Sequence, residues 1–206
     1  MVNRYLRWLA ALVAVIGPAV AAPGDFSSQS FQIFGGIAEG SSAITPQSWD
    51  LGPVPPGLAP GIVAFDSPLP PGSVVVRTGE RRLYFILPEG QAIAYHVGVG
   101  REGFAWSGAD TISGKSQWPD WRPPAEMIAR ERRKGRDLPD FVAGGPGNPL
   151  GARALYIGRT AFRIHGTTEP WTIGKAVSSG CIRMLNADVI DLYERVSVGA
   201  QVLVED

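Results

Sequence analysis

The stretch His165–Met184 reads HGTTEPWTIGKAVSSGCIRM and holds Cys181, the only cysteine of a 206-residue chain, together with His165, one of its two histidines. A thiolate attacks carbonyl carbon, whereas a free thiol with a pKa near ~8.5 is mostly protonated at neutral pH. An imidazole within hydrogen-bond reach can take that proton and later return it to a leaving amine. Sixteen positions separate the two residues, and the connection is rich in Gly, Thr and Ser. Ser-Ser-Gly-Cys at 178–181 sets flexible backbone N–H groups beside the sulfur, as an oxyanion hole requires. A helix is expected soon after Cys181, and its positive end would favour the thiolate. The plainer reading is a buried, inert thiol. No metal site is expected, because two histidines and one cysteine without close pairing supply too few ligands. A papain-like protease is disfavoured as well, since there the cysteine precedes the histidine by a long interval.

Several elements must position this pair. From Ser73 the chain turns to β-branched and aromatic runs: SVVVRT, RRLYFIL and QAIAYHVGVG. In the last of these Ile93, Tyr95, Val97 and Val99 alternate with Ala92, Ala94, His96 and Gly98, which predicts a half-buried strand with His96 as an ordinary strand residue. Arg101 to Gly151 reads as irregular, with one short helix near Ala125–Lys134, and a segment of that kind is expected to act as a loop or lid. Trp118 and Trp121 either pack this insertion onto the sheet or stack on a substrate. ALYIG and AFRIHG are strands, so His165 closes one. Asn186 is expected to N-cap a helix reaching about Val196, with Asp188 in its first turn and an apolar stripe of Val189, Ile190, Tyr193 and Val196. AQVLVE is a last strand. The pattern is mainly β with short helices, not a βαβ series.

Composition narrows the class. With 45% hydrophobic and 18% charged residues the chain can bury a core. Lys+Arg 19 balances Asp+Glu 19, so nucleic-acid binding is not expected. The one basic run, RERRKGR at Arg130–Arg136, reads as the solvated face of a helix. At the start, Arg4 and Arg7 precede the apolar Leu9–Val20, and Ala19-Val20-Ala21 is an A-x-A cleavage site. Residues 1–21 are therefore expected to be a signal peptide and the protein to be exported, in the periplasm. The apolar stretch is short of the roughly 20 residues a bilayer span needs, and Gly17-Pro18 interrupts it, so no permanent membrane span is expected. Residues 22–72, with eight prolines between Pro46 and Pro71, read as a Pro/Gly/Ser-rich leader or linker, and residues 73–206 as the catalytic domain. One cysteine allows no internal disulfide.

The words IHGT, EPWTIG and SSGCIRM, followed by NADVIDLYERVSVGAQVLV, closely resemble the L,D-transpeptidase family with the YkuD-type catalytic domain, exported bacterial enzymes that cross-link peptidoglycan. The resemblance runs from about Ser73 to Glu205 and is strongest from Pro149 onward, where NPLGARALYIG also matches. His165, Gly166, Ser178, Gly180, Cys181, Ile182 and Arg183 fill the family's pattern. Two places depart from it. Ser179 stands where many members carry a second histidine, and Thr111-Ile112-Ser113-Gly114 replaces a Thr-Pro-x-Gly turn.

The resemblance implies a β-sandwich-like catalytic domain with short helices and a long lid-like insertion. It implies a two-step acyl transfer without metal or organic cofactor. Cys181 attacks the carbonyl on the L-centre of a diamino acid in a peptidoglycan stem tetrapeptide, releases D-alanine and leaves a thioester. An amine of a second stem peptide, or of an outer-membrane lipoprotein, resolves it. His165 is base and then acid, its ring oriented by a backbone carbonyl. The N–H groups of Ser179, Gly180 and Cys181 are the oxyanion candidates. Arg183 lies near a substrate carboxylate or in an ion pair within the loop. A low-pKa thiol and an acylation rate rising near the ~6.5 of an ordinary histidine are the expected signatures. A hydrolase on the same fold and a non-catalytic wall-binding module are the alternatives.

Overall fold

β-branched and aromatic side chains fill a pleated, half-buried surface well, and the runs after Ser73 accordingly become strands. The computed structural model describes residues 54–104 and 106–206. Its elements are β1 (Gly61–Ala64), β2 (Val74–Arg77), β3 (Arg82–Leu87), β4 (Gln91–His96), β5 (Val99–Gly100), β6 (Gly108–Gln117), α1 (Ala125–Arg132), β7 (Arg153–Ile157), β8 (Arg163–His165), β9 (Ala176–Ser178), β10 (Ile182–Arg183), α2 (Asn186–Arg195) and β11 (Gln201–Glu205). The architecture is mainly β, as the sequence predicts. The expected signal peptide, 1–21, and residues 22–53 of the expected leader lie outside the described residues.

Nine strands form one sheet in the order β1-β4-β3-β2-β11-β6-β7-β8-β10, and β5 pairs with β9 separately. Within the large sheet β2 runs parallel to β11 and β8 parallel to β10; the other pairs are antiparallel. One buried cluster takes Val74, Leu83 and Tyr95 from one half of the sheet and Leu155, Ile157 and Ile164 from the other, with Val189 and Leu192 of α2. The sheet therefore curls over one main core. Val75, one position from Val74 and Val76, faces the opposite side with Phe65, Ile86 and Ala92, as the two-residue strand period requires. Burying a Val, Leu or Ile side chain stabilises by about 1.5–3 kcal/mol, so this core holds the strands that carry the site.

Three readings change. The end of the 22–72 stretch is built into the domain, because β1 pairs with β4 and Phe65 is buried against Tyr84. The 101–151 segment is not irregular throughout: β6 runs ten residues through it, between β11 and β7. Its sequence, GADTISGKSQ, buries only Ile112 fully, so the hydrophobic signal of a strand is missing although the backbone is paired on both sides. Asn186 is not the N-cap of α2. Leu185 occupies that position, and Asn186 is the first helical residue.

The stripe of α2 also differs. Val189, Leu192 and Val196 are buried, whereas Ile190 and Tyr193 are half-buried. The carboxyl of Asp188 is buried beside them, 3% exposed, and its Oδ2 has no hydrogen-bond partner. Burial, reinforced by Asp191, pushes its pKa up to about 6. A carboxyl with a raised folded-state pKa gives stability that is complete below the unfolded value and lost as pH rises through the folded one. Asp188→Asn is therefore expected to stabilise by about 1–2 kcal/mol at pH 8 and by nothing at pH 4. Thermal unfolding at the two pH values measures it, and an equal effect at both would contradict it.

The basic run keeps an excess of positive charge, with three of its cations sharing one acid. Glu131 on α1 takes ion pairs from Arg130, Lys134 and Arg136, which hold its carboxyl down at about 2, and Arg132 faces Asp137.

Candidate active site

His165 ends β8, where it lies opposite Ala154 of β7 on one side and Arg183 of β10 on the other. Its ring is buried, and Nδ1 lies 2.6 Å from the carbonyl oxygen of Gly166. A carbonyl only accepts, so this contact assigns the proton to Nδ1 and leaves the lone pair on Nε2, the tautomer a general base needs. Burial pushes the imidazole pKa down to about 4; the Gly166 carbonyl works against it, and the charges of Arg183 and Arg163 add to it. The ring is thus neutral at neutral pH. The ionisation near 6.5 expected from the sequence is corrected downward, because that value belongs to a solvated imidazole.

The strand end is held by Asn186. Its Oδ1 accepts the N–H groups of Ala152 (3.0 Å) and Thr167 (3.2 Å), and its Nδ2 donates to the carbonyl of Thr167 at 3.1 Å. Gly166 fits beneath it only because it lacks a side chain: a Cβ there would lie 2.1 Å from Asn186 Oδ1. Sequence reasoning missed this role. An Asn at a helix start reads as a cap, and nothing local reports partners 19 and 34 residues away.

Cys181 precedes β10 directly, which places it two positions before the residue paired with His165. Its side chain is half-buried, and Sγ donates to the carbonyl of Ala161 at 3.9 Å. Among the described residues no hydrogen bond joins Sγ to the His165 ring. Burial raises the thiol pKa, while the backbone and charge of Arg163 and the charge of Arg183 oppose the rise. The resting pair is therefore a neutral thiol and a neutral imidazole. The low-pKa thiol expected from the sequence is corrected for a structural reason: burial outweighs the positive charges near the sulfur, and in the chain β10 comes between Cys181 and α2.

The loop around the thiol is tied by Ser178, whose Oγ donates to the Cys181 carbonyl at 2.6 Å and accepts the Gly180 N–H at 3.1 Å. Gly180 has φ +113°, and a Cβ there would lie 2.3 Å from the Phe162 ring and 2.7 Å from the Phe104 carbonyl. Only glycine meets both demands. Its N–H is spent within the loop, which removes it as an oxyanion donor in this state and leaves those of Ser179 and Cys181. Arg183 Nη1 donates to Glu169 Oε2 at 2.7 Å and lies 3.4 Å from Thr172 Oγ1, so of its two expected placements the structure has the ion pair within the loop. Ser179 Oγ accepts from Nη2 of Arg130 at 2.9 Å, a contact 49 residues away in sequence that no motif announces.

The other candidates sit apart. His96 is on β4 in the far half of the sheet, its pKa lowered by burial and then by Arg82. Trp121 exchanges backbone hydrogen bonds of 2.8 Å with Val142, and the Trp118 carbonyl crowds Gly144, so the backbone at both tryptophans folds the insertion onto itself. No group of three His, Cys, Asp or Glu side chains suited to a metal occurs among the described residues.

A family model described as YkuD, the L,D-transpeptidase catalytic domain, matches residues 71–204. The probable L,D-transpeptidase YbiS of Escherichia coli (strain K12) is 40% identical over 135 residues, covering 63% of this chain and 43% of YbiS. The chain spans less than half the length of the curated relatives it matches first, 44% and 43% of them. A Brucella melitensis crystal structure, described as a probable carnitine operon oxidoreductase, is 44% identical and covers 70% of this chain and 92% of its own, with a TM-score of 0.48. The Ldtfm–avibactam carbamoyl enzyme, 16% identical over 67% of this chain and 50% of its own, has a TM-score of 0.52, a likeness of fold.

Proposed function

Because the chain belongs to the L,D-transpeptidase (YkuD) catalytic-domain family, we propose that it is a cysteine acyltransferase acting on peptidoglycan stem peptides, with Cys181 as nucleophile and His165 as its base. The observation that carries this reading is the His165 ring, fixed as the Nδ1–H tautomer by the Gly166 carbonyl on the strand paired with the one that Cys181 leads into. The sulfur turns from the Ala161 carbonyl toward the imidazole as substrate enters; catalytic hydrogen bonds are often long in the free enzyme and shorten in the complex. Nε2 takes the thiol proton as Sγ attacks the carbonyl on the L-centre of the donor. The N–H groups of Cys181 and Ser179 receive the oxyanion. The imidazolium returns the proton to the departing D-alanine amine, leaving a thioester. A second stem peptide, or the amine of an outer-membrane lipoprotein, then releases the enzyme. The signal-like residues 1–21 support export to the periplasm, and recovery of a form starting at Ala22 from the cell envelope tests it.

The oxidoreductase description of the Brucella relative finds no counterpart in this site. Gly98-Val99-Gly100-Arg101-Glu102-Gly103 does spell G-x-G-x-x-G, but it runs through β5 into a turn and opens no helix to receive a pyrophosphate. Incubation of the mature protein with purified tetrapeptide muropeptides, followed by mass spectrometry, decides the reaction. Cross-linked dimers and a thioester adduct are expected. Tripeptide monomers would mean hydrolysis, and unchanged substrate with no adduct would mean a wall-binding module.

A further inference from the structure

The catalytic loop is surrounded by arginines with few acids to match them. Arg101 donates to the Ser178 carbonyl at 3.5 Å, Arg130 to Ser179 Oγ at 2.9 Å, and the charges of Arg163 and Arg183 both act on the Cys181 thiol. Of these four, Arg183 is matched by Glu169. Arg130 shares Glu131 with Lys134 and Arg136, its Nε being 3.3 Å from the carboxylate. Arg101 and Arg163 have no carboxylate within ion-pair distance among the described residues.

Arg130 is the member delivered by a helix, 49 residues from Ser179 in sequence. It sits near the end of α1, and its side chain is only 18% exposed, unlike that of Arg132 on the same helix at 73%. The Phe104 ring receives it, with the Arg130 guanidinium carbon 5.4 Å and the Arg101 carbon 3.9 Å from the ring centroid. The backbone carbonyl of Phe104 in turn lies close to Gly180, next to the nucleophile. The Ser179 hydroxyl is a neutral acceptor, and the one carboxylate beside Arg130, that of Glu131, is shared with Lys134 and Arg136. A guanidinium carries five N–H donors in a planar fork that matches a carboxylate, and Arg130 uses one on Glu131 and one on Ser179.

We propose that Arg130 is a specificity-determining residue that binds a carboxylate of the donor peptide close to the scissile bond, so that α1 and its insertion take part in donor recognition. This rests on the reading of Cys181 as the acyl-forming nucleophile of a peptide-processing site. Stem peptides carry carboxylates at the terminal D-alanine and, for a diamino diacid, on its side chain, and one of these is the group the fork receives.

Donor binding can be measured by calorimetry in a full-chain Cys181→Ala background, which cannot turn over. Three tetrapeptide donors suffice: all free acids, one amidated at the terminal carboxylate, and one amidated at the side-chain carboxylate of the diamino acid. Arg130→Ala is expected to weaken the all-acid donor by about tenfold to a hundredfold, the range of a charge-assisted hydrogen bond, with a smaller loss for Arg130→Lys. On one of the amidated donors the penalty should fall to about twofold or less, because the partner charge is already gone. Arg132→Ala, altering an exposed neighbour on the same helix, should change nothing. An equal penalty on all three donors would reduce Arg130 to a structural brace, and no penalty on the all-acid donor would remove it from the site; either result overturns the proposal. Thioester formation by the unmutated protein is followed separately by mass spectrometry. Its absence would overturn the acyltransferase reading while leaving the binding result to stand or fall by itself.

Discussion

Cys181→Ala should leave the protein folded and unable to form an acyl adduct, with turnover down by about 10⁴-fold or more, because a nucleophile and its base act as a unit. The fold should survive because the side chain is half-buried and its one hydrogen bond, to the Ala161 carbonyl at 3.9 Å, is weak. The melting temperature should move by less than about 3 °C, the equivalent of roughly 1 kcal/mol in a domain of this size. Intact-protein mass spectrometry after exposure to donor, beside a thermal melt, reads both quantities. Retained turnover in a folded Cys181→Ala protein would eliminate covalent catalysis through this thiol. The neutral resting state adds a second signature: with its pKa raised by burial, the thiol should alkylate slowly at neutral pH in the absence of donor.

His165→Gln should lower acylation by about 10³-fold, and the pH profile of the unmutated protein should show why. The base works when neutral. Its pKa is pushed down to about 4, so acylation should be level from neutral pH down to about 5 and fall as pH drops through about 4. A midpoint at 6 or above would refute the buried, neutral imidazole. Stability carries the same sign. A histidine with a depressed folded-state pKa contributes stability that is complete above the unfolded value of ~6.5 and lost as pH falls through the folded one, here about 3 kcal/mol in all. Asp188, with its raised pKa, acts in the opposite sense between its unfolded value and about 6, so the two partly cancel across the acid range. Circular dichroism at each pH separates loss of the base from loss of the fold, and His165→Gln should remove the histidine's share of that pH dependence.

Much of this was legible in residue types and spacing. Alternation is a local property, and it located β4, although the strand expected to be half-buried is covered on both faces, with Ala92 and Ala94 buried as well as Ile93 and Tyr95. That His165 closes a strand was visible too, since the apolar run before it is local. The Ser-x-Gly-Cys words have a physical basis in the structure, where Ser178 closes the loop on Cys181 and Gly180 adopts a positive φ against Phe162. β6 escaped notice because pairing on both sides, not side-chain hydrophobicity, makes it a strand.

The protonation states were decided only in three dimensions. Burial sets both His165 and Cys181, and it is not encoded within a few residues of either group. The same holds for Asn186, which reads as a helix cap and instead binds Ala152 and Thr167, and for Arg130, which reads as one charge in a solvated run and instead reaches Ser179. Sequence assigns chemistry to side chains and periodicity to strands, because both are set by neighbours along the chain. Desolvation and long-range hydrogen bonds depend on which distant segments the core brings together, and so only the tertiary structure decided them.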